Sequence, residues 1–221
     1  MTSVNAQRVN EETCFLPEGG EQAPRTPCFT EGTVVSTNRG AVPIEDLKAG
    51  DLVLTRDNGY RPILWIGSRR FDETELCRFA ELQPVAISAG ALGPNMPERD
   101  IKVSPHHRIL LTGAFARKYV NETEVLAPAK ELLWMPGFAQ DCVSGVTYFH
   151  IMFEDHEVIR ADGCWTESFL PEAVVVENMS KAQRQEILTI FPELGARDGY
   201  DRYAPARTLI EHIGEDAAKA A

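Results

Sequence analysis

The sequence predicts a mainly β protein, an all-β sandwich or barrel with a small helical appendage at its C-terminal end. Three observations carry that expectation. From Cys28 to about Pro171, β-branched and aromatic runs of about five residues recur at intervals of about ten. The gaps between them hold Gly, Asn and Asp turn signals. Beyond Ser180 the apolar spacing changes to that of a helix.

In chain order, residues 1–27 are polar, carry Pro17, Gly19, Gly20, Pro24 and Pro27, and show no apolar periodicity; they are expected to form a flexible leader. "TVVST" is a short β-branched strand, and "NRG" a turn. "AVPIEDLKAGD" gives a strand, a tight turn around Glu45–Asp46 and a Gly50-Asp51 turn. "LVLT" is a strand closed by the hairpin signal "RDNG", and "YRPILWIGSRRF" a longer one in which Pro62 marks an edge or a bulge. "PVAISAGAL" and "DIKVSPHHRILLTG" continue the pattern. "EVLAPAKELLWM" predicts a short helix around Ala129–Leu133, and "GVTYFHIMFEDHEVIRADG" a strand pair joined at Glu154-Asp155. In the tail, Ser180-x-x-Gln183 has the form of a capping box ahead of Ile187, Leu188 and Phe191. A second helix is expected from about Ala206 to Ala220, with Leu209, Ile210 and Ile213 as its stripe. The expected division is leader 1–27, β domain 28–171 and helical tail 172–221.

Bulk properties exclude several functions. The 221 residues suit one domain plus an appendage, and 43% hydrophobic residues suffice for a core. Twenty-two basic against 33 acidic residues give a net charge of −11, with no basic stripe. That disfavours nucleic acid, whose nonspecific binding runs on phosphate neutralisation, and an anionic membrane surface. No apolar run approaches the ~20 residues that span a bilayer. The five cysteines, Cys14, Cys28, Cys77, Cys142 and Cys164, form no C-x-x-C pair, which points to mostly free thiols in a reducing compartment. With no secretory signal at the start, a cytoplasmic protein is expected, signal-independent export being left open.

Three clusters carry candidate chemistry. In "PCFTEGT", Cys28 is either a small buried hydrophobe that starts a strand or a nucleophile aimed at the carbonyl before it. In the second reading the Pro27–Cys28 amide becomes a thioester. In "VSPHHRIL", His106 and His107 face opposite ways on a strand, so at most one serves a given site. Ser104 and His107, three residues apart across Pro105, could polarise an amide and protonate its nitrogen, because histidine titrates near neutrality. In "FEDHEVIRADGCWTESF", Asp155, His156, Asp162, Cys164 and Thr166 are either a solvated hairpin turn or a source of the group that orients and deprotonates the nucleophile.

These blocks, in this order, resemble the Hint domain, the self-processing fold of Hedgehog proteins and inteins, and especially its short bacterial members. Cys28 stands where that family has its first-position nucleophile, and "VPIEDLKAGDLVLT" matches the strand-turn-strand that follows. "SPHH" matches a Thr-x-x-His block, with Ser104 for Thr and His107 for the histidine; "DHEVIRADG" resembles a late strand with its His and Gly. The resemblance covers about two-thirds of the chain. It implies a β horseshoe that gathers positions 28, 107 and 156, and an N–S acyl shift at Cys28, with Ser104 and His107 activating the amide and Asp155 or His156 assisting.

Two departures narrow that expectation. Splicing inteins end in His-Asn, whose Asn cyclises; here "ADGCWTES" offers Glu167 and Ser168 instead, so thioester cleavage without splicing is expected. Cys164 is a conceivable acyl acceptor. Pro27 crowds the carbonyl to be attacked. The substrate would be the chain's own leader, with no cofactor and no metal, and the tail a possible protein-binding or edge-capping element. A binding or structural module on an inactive Hint scaffold is the alternative. A zinc site from Cys28, His107, His156 and Cys164 has the right ligand types and no supporting spacing.

Overall fold

Alternation and turns build two antiparallel sheets that share one core. The computed structural model describes residues 26–113, 116–117, 122–196, 198–210 and 212. The flexible-leader expectation, apart from Thr26 and Pro27, therefore lies outside the described residues.

The first sheet has six strands in the order β11 (Phe138–Gln140), β7 (Val85–Ile87), β8 (Ile101–Val103), β1 (Phe29–Thr30), β12 (Gly145–Met152) and β6 (Trp65–Asp72). The second runs β10 (Glu124–Pro128), β9 (Arg108–Thr112), β14 (Cys164–Glu167), β13 (Val158–Ala161), β2 (Val34–Thr37), β4 (Leu52–Leu54) and β5 (Tyr60–Pro62), with β3 (Gly40–Pro43) paired to β2. The curled antiparallel sheets are the expected mainly β horseshoe. The core joins both sheets: Val35, Ile87, Ile101, Ile109, Ile151 and Ile159 are each at most 1% exposed. Each such side chain stabilises the fold by ~1.5–3 kcal/mol relative to full exposure.

Several local readings hold. Asn58-Gly59 closes the β4–β5 hairpin, Leu54 opposite Tyr60, with Gly59 at φ +64°. Only a residue tolerant of the left-handed region fits there without strain. Pro62 ends β5, the outer strand of its sheet, where a missing N–H costs nothing. The helix expected near Ala129–Leu133 is a 3-10 turn over Ala129–Leu132.

Other readings are corrected. "YRPILWIGSRRF" is two strands: Ile63 and Leu64 break it, and β6 moves to the first sheet. β12 and β13 follow one another but do not pair; the bend at Glu154-Asp155 carries the chain from one sheet to the other, with Phe153 buried at the corner. A helix missing from the expectation, α1 (Glu73–Arg78), begins at a full capping box between Asp72 and Glu75.

The tail holds α2 (Ala173–Glu177) and α3 (Lys181–Ile190). Ser180 caps α3 by accepting from the Gln183 backbone N–H at 3.3 Å. The second expected helix fails over its described part. Leu126 N donates to Thr208 O at 3.0 Å and Ile210 N to Leu126 O at 2.9 Å, so residues 208–210 lie along the free edge of β10. Strand addition there satisfies backbone groups and covers a sheet edge, which outweighs the weak helical stripe. The rest of that stretch, residue 211 and residues 213–220, lies outside the described residues.

Gly67 is required by close packing, not by its backbone angles. It faces His150 across the β6–β12 ladder, and a Cβ built on it would overlap the indole of Trp65, itself 3% exposed. Gly67→Ala is therefore expected to lower the stability of the intact chain by ~1–3 kcal/mol, read as a reduced urea midpoint. An unchanged midpoint would show that Trp65 moves aside freely.

Candidate active site

The register of one two-residue strand assembles the site. β1 lies between β8 and β12: Phe29 is opposite Phe149 on one side and opposite Val103 on the other. Stepping back one residue in each antiparallel ladder puts Cys28 beside His150 and beside Ser104. Residues 76 and 122 positions away in sequence thus flank the Pro27–Cys28 bond.

The hydrogen bonds follow that register. The Cys28 backbone N–H donates to Ser104 Oγ at 2.9 Å, Ser104 Oγ donates to Thr26 O at 2.8 Å, and Ser104 N donates to Cys28 O at 2.9 Å. His150 Nδ1 lies 2.9 Å from Pro27 O, and His150 Nε2 lies 3.5 Å from Cys28 Sγ. A carbonyl oxygen only accepts, so the proton sits on Nδ1 and Nε2 presents its lone pair to the thiol. The thiol also reaches Thr26 O at 3.1 Å. Phe169 and Trp65 clamp the imidazole, the indole plane lying 8° from the imidazole plane at 6.3 Å between centroids.

Burial sets the protonation states. It lowers His150 to about 4, against the lesser raising effect of the Pro27 carbonyl. It also pushes the Cys28 thiol well above its ordinary 9.0, Ser104 opposing and the Glu167 charge adding to the rise. The resting pair is a neutral thiol against a neutral imidazole. Complete proton transfer between them would cost at least ~7 kcal/mol before the new charges attract. Transfer coupled to bonding of the sulfur to the Pro27 carbonyl carbon would avoid that cost, because Nδ1–H would then face the oxygen that gains charge.

The predicted residues fall in different places. Cys28 and Ser104 meet at the Pro27–Cys28 amide. His107 is buried one layer away: Nε2 bonds Thr166 Oγ1, the ring meets Phe29 at 4.4 Å, and Nδ1 has no partner. Thr166 spends its hydroxyl hydrogen on Arg108 O, so His107 Nε2 carries the proton and Nδ1 is a bare lone pair. His107 bonds neither Pro27 nor Cys28, and burial lowers it to about 4. Asp155 is exposed at the bend between the sheets. His156 accepts from Ala206 N at 3.0 Å through Nδ1 and faces Glu167 at 3.5 Å through Nε2. Neither Asp155 nor His156 lines the Cys28 cavity. Cys164 donates to Ala161 O at 3.2 Å, outside that cavity, and burial pushes its thiol up to about 12. No group of three or more His, Cys, Asp or Glu is placed to hold a metal among the described residues.

The residue that sequence reasoning missed is His150. Its signal was present: in β12 the buried positions Val146, Tyr148, His150 and Met152 alternate with less buried neighbours over the first half, and His150 is the polar member of that face.

Curled antiparallel sheets of short strands, with Cys28 just ahead of the first, are the fold on which this site is built. The chain belongs to the Hint-domain family, whose family model matches residues 27–173. Similar solved structures include the gp41-1 intein, at 12% identity over 63% of this chain and 97% of that one, TM-score 0.37. A DnaB intein from Synechocystis sp. PCC 6803 gives 13% over 64% and 98%, TM-score 0.41. A bacterial intein-like domain from Clostridium thermocellum gives 15% over 64% and 97%, TM-score 0.38. No curated protein matches the chain.

Neutral burial of His107 and His150 makes stability depend on pH with a definite sign. Both have folded values of about 4 against an ordinary 6.5, so below 6.5 the unfolded chain takes up protons that the folded chain refuses. Their contribution is complete above about 6.5 and is lost as pH falls through about 4, on the order of 3 kcal/mol for each. Glu157 and Asp162, raised by burial, act in the opposite sense and flatten the total. Urea midpoints at about pH 7 and about pH 4.5 are expected to fall further for the wild type than for His150→Gln. Equal falls would mean that His150 is not held neutral.

Proposed function

We propose that the chain is an autoprocessing Hint protein that cleaves itself at Pro27–Cys28 by an N–S acyl shift followed by thioester cleavage, without splicing. One observation carries this reading: a single neutral imidazole contacts both the thiol and the carbonyl of the bond to be exchanged. As Cys28 Sγ bonds to the Pro27 carbonyl carbon, the thiol proton passes to His150 Nε2 while Nδ1–H stabilises the oxyanion. The C–N bond then breaks, and the proton passes from His150 to the Cys28 nitrogen. The result is an isomer in which Pro27 is joined to Cys28 Sγ as a thioester. Ser104 holds the departing nitrogen through its N–H and so fixes the amide against the imidazole. Water, a thiol or another nucleophile then releases the leader, the chain's own intramolecular substrate. The stretch where splicing would need Asn supplies Glu167, bound by Arg108, and Ser168, whose hydroxyl accepts from Glu157 N.

A Hint scaffold without turnover is the second reading, favoured by the thiol's burial and high pKa. Intact-mass measurement of the full chain separates the two. Autoprocessing predicts a species beginning at Cys28, increased by hydroxylamine and absent in Cys28→Ala. His150→Gln is expected to slow release by ~10²–10⁴-fold, the range for a lost acid–base group, and Ser104→Ala to slow it less. A mass unchanged by hydroxylamine, in the wild type and in every variant, would leave only the scaffold reading.

A further inference from the structure

The cavity beside Cys28 has walls of two origins. The β domain contributes Arg69, Phe71, Ser104 and His150; facing them from the tail are Asn178, Met179 and Gln183, at the turn between α2 and α3 and in the first turn of α3. The tail wall is joined to the β domain by hydrogen bonds and by apolar packing. Gln183 Nε2 donates to Ser68 O at 3.2 Å, and the Ser180 hydroxyl donates to Gln183 Oε1 at 3.0 Å, so this amide is held at both ends. Trp65 Nε1 donates to Glu186 Oε2 at 3.2 Å. Below these bonds, Val175, Val176, Ile187 and Phe191 belong to one apolar cluster with Trp65 and Phe169, the two rings that clamp His150. The space between the two walls is about 30 Å³. That admits one or two waters, not a molecule of many heavy atoms.

We propose that residues 178–183 form a fixed cap on the acceptor side of the Cys28 site, selecting water-sized nucleophiles for the thioester and shutting out bulky ones. The inference rests on the autoprocessing reading and assigns the acceptor class that reading leaves open. In the selected step the water oxygen bonds to the Pro27 carbonyl carbon and the C–S bond breaks. One water proton passes through His150 to the departing sulfur. The products are a leader ending in the Pro27 carboxylic acid and a chain beginning at Cys28 with a free thiol and a free amine. Hydroxylamine in place of water leaves a hydroxamic acid on Pro27. A thiol exchanges the thioester onto its own sulfur, and glutathione is too large for a space of about 30 Å³.

The test treats the full chain with hydroxylamine or with glutathione and reads released leader by intact mass. Met179→Ala opens the mouth and is expected to raise the ratio of glutathione to hydroxylamine release by about tenfold, the scale of a small steric change in a pocket. Met179→Trp fills the mouth while leaving the Gln183–Ser68 and Trp65–Glu186 bonds in place and is expected to lower the same ratio. A widened mouth and a merely loosened tail are thereby told apart, since loosening raises the ratio in both variants and would overturn the cap. Release with the wild-type ratio in both variants overturns the cap and leaves autoprocessing standing. No release with either nucleophile, in the wild type or the variants, overturns both.

Discussion

A single uncharged imidazole between a thiol and a peptide carbonyl is the constraint on which the site depends. His150 can serve both only if its ring is oriented along the line from sulfur to oxygen and carries its proton on Nδ1. The sheet meets the first demand: β1 pairs with β12 in a register that continues to Cys28 and His150, and the position across from His150 on β6 is Gly67. Because Gly67 has no side chain, Trp65 can lean over it and stack on the imidazole. The Pro27 carbonyl meets the second demand by accepting from Nδ1. Burial then keeps both partners neutral, with the thiol and the carbonyl held against the same uncharged ring. Preorganisation of this kind lowers a barrier mainly through orientation, for which effective concentrations are worth up to ~7–11 kcal/mol.

Behind this pair lies a buried charged layer that fixes the strands bearing it. The Glu167 carboxylate is fully buried; it accepts from Arg108 N at 2.7 Å and from Arg108 Nη1 at 3.1 Å, while a second guanidinium nitrogen of Arg108 bonds Glu172 at 3.1 Å. Desolvation opposes its charge, but His156 and Arg108 prevail and hold its pKa low. Paired in this way the charge is tolerable; left without its arginine it would cost several kcal/mol. The same layer reaches the tail, because His156 accepts from Ala206. The tail is thus tied at its start by Glu172, in its middle through Trp65, and near its end by His156 and the edge of β10.

The architecture was legible in the sequence because strands and turns announce themselves locally. Asn58-Gly59, Pro62 and the β-branched "VVST" each say what the backbone does within a few residues. What was not legible depends on partners distant in sequence. "GVTYFHIM" and "HEVIRA" looked like a hairpin, but the switch between sheets is set by where Phe153 is buried. "ARTLI" has a helical stripe, but the open edge of β10 gave it a better use. At the site, Cys28 and Ser104 were legible from their motifs. The alternation along "GVTYFHIM" puts His150 on the buried face, but only the register of β1 against β12 shows that this face meets Cys28. Asp155 and His156 drew attention as a charged cluster, yet the bend exposes one and the tail engages the other.

Nitrogen-15 NMR of the His150 ring tests the central claim most directly. At about pH 7, and still at about pH 5.5, the proton is expected on Nδ1, with Nε2 bare, as burial dictates. A proton found on Nε2, or an imidazolium at neutral pH, would leave the ring with no lone pair to take the Cys28 thiol proton and contradict the assignment.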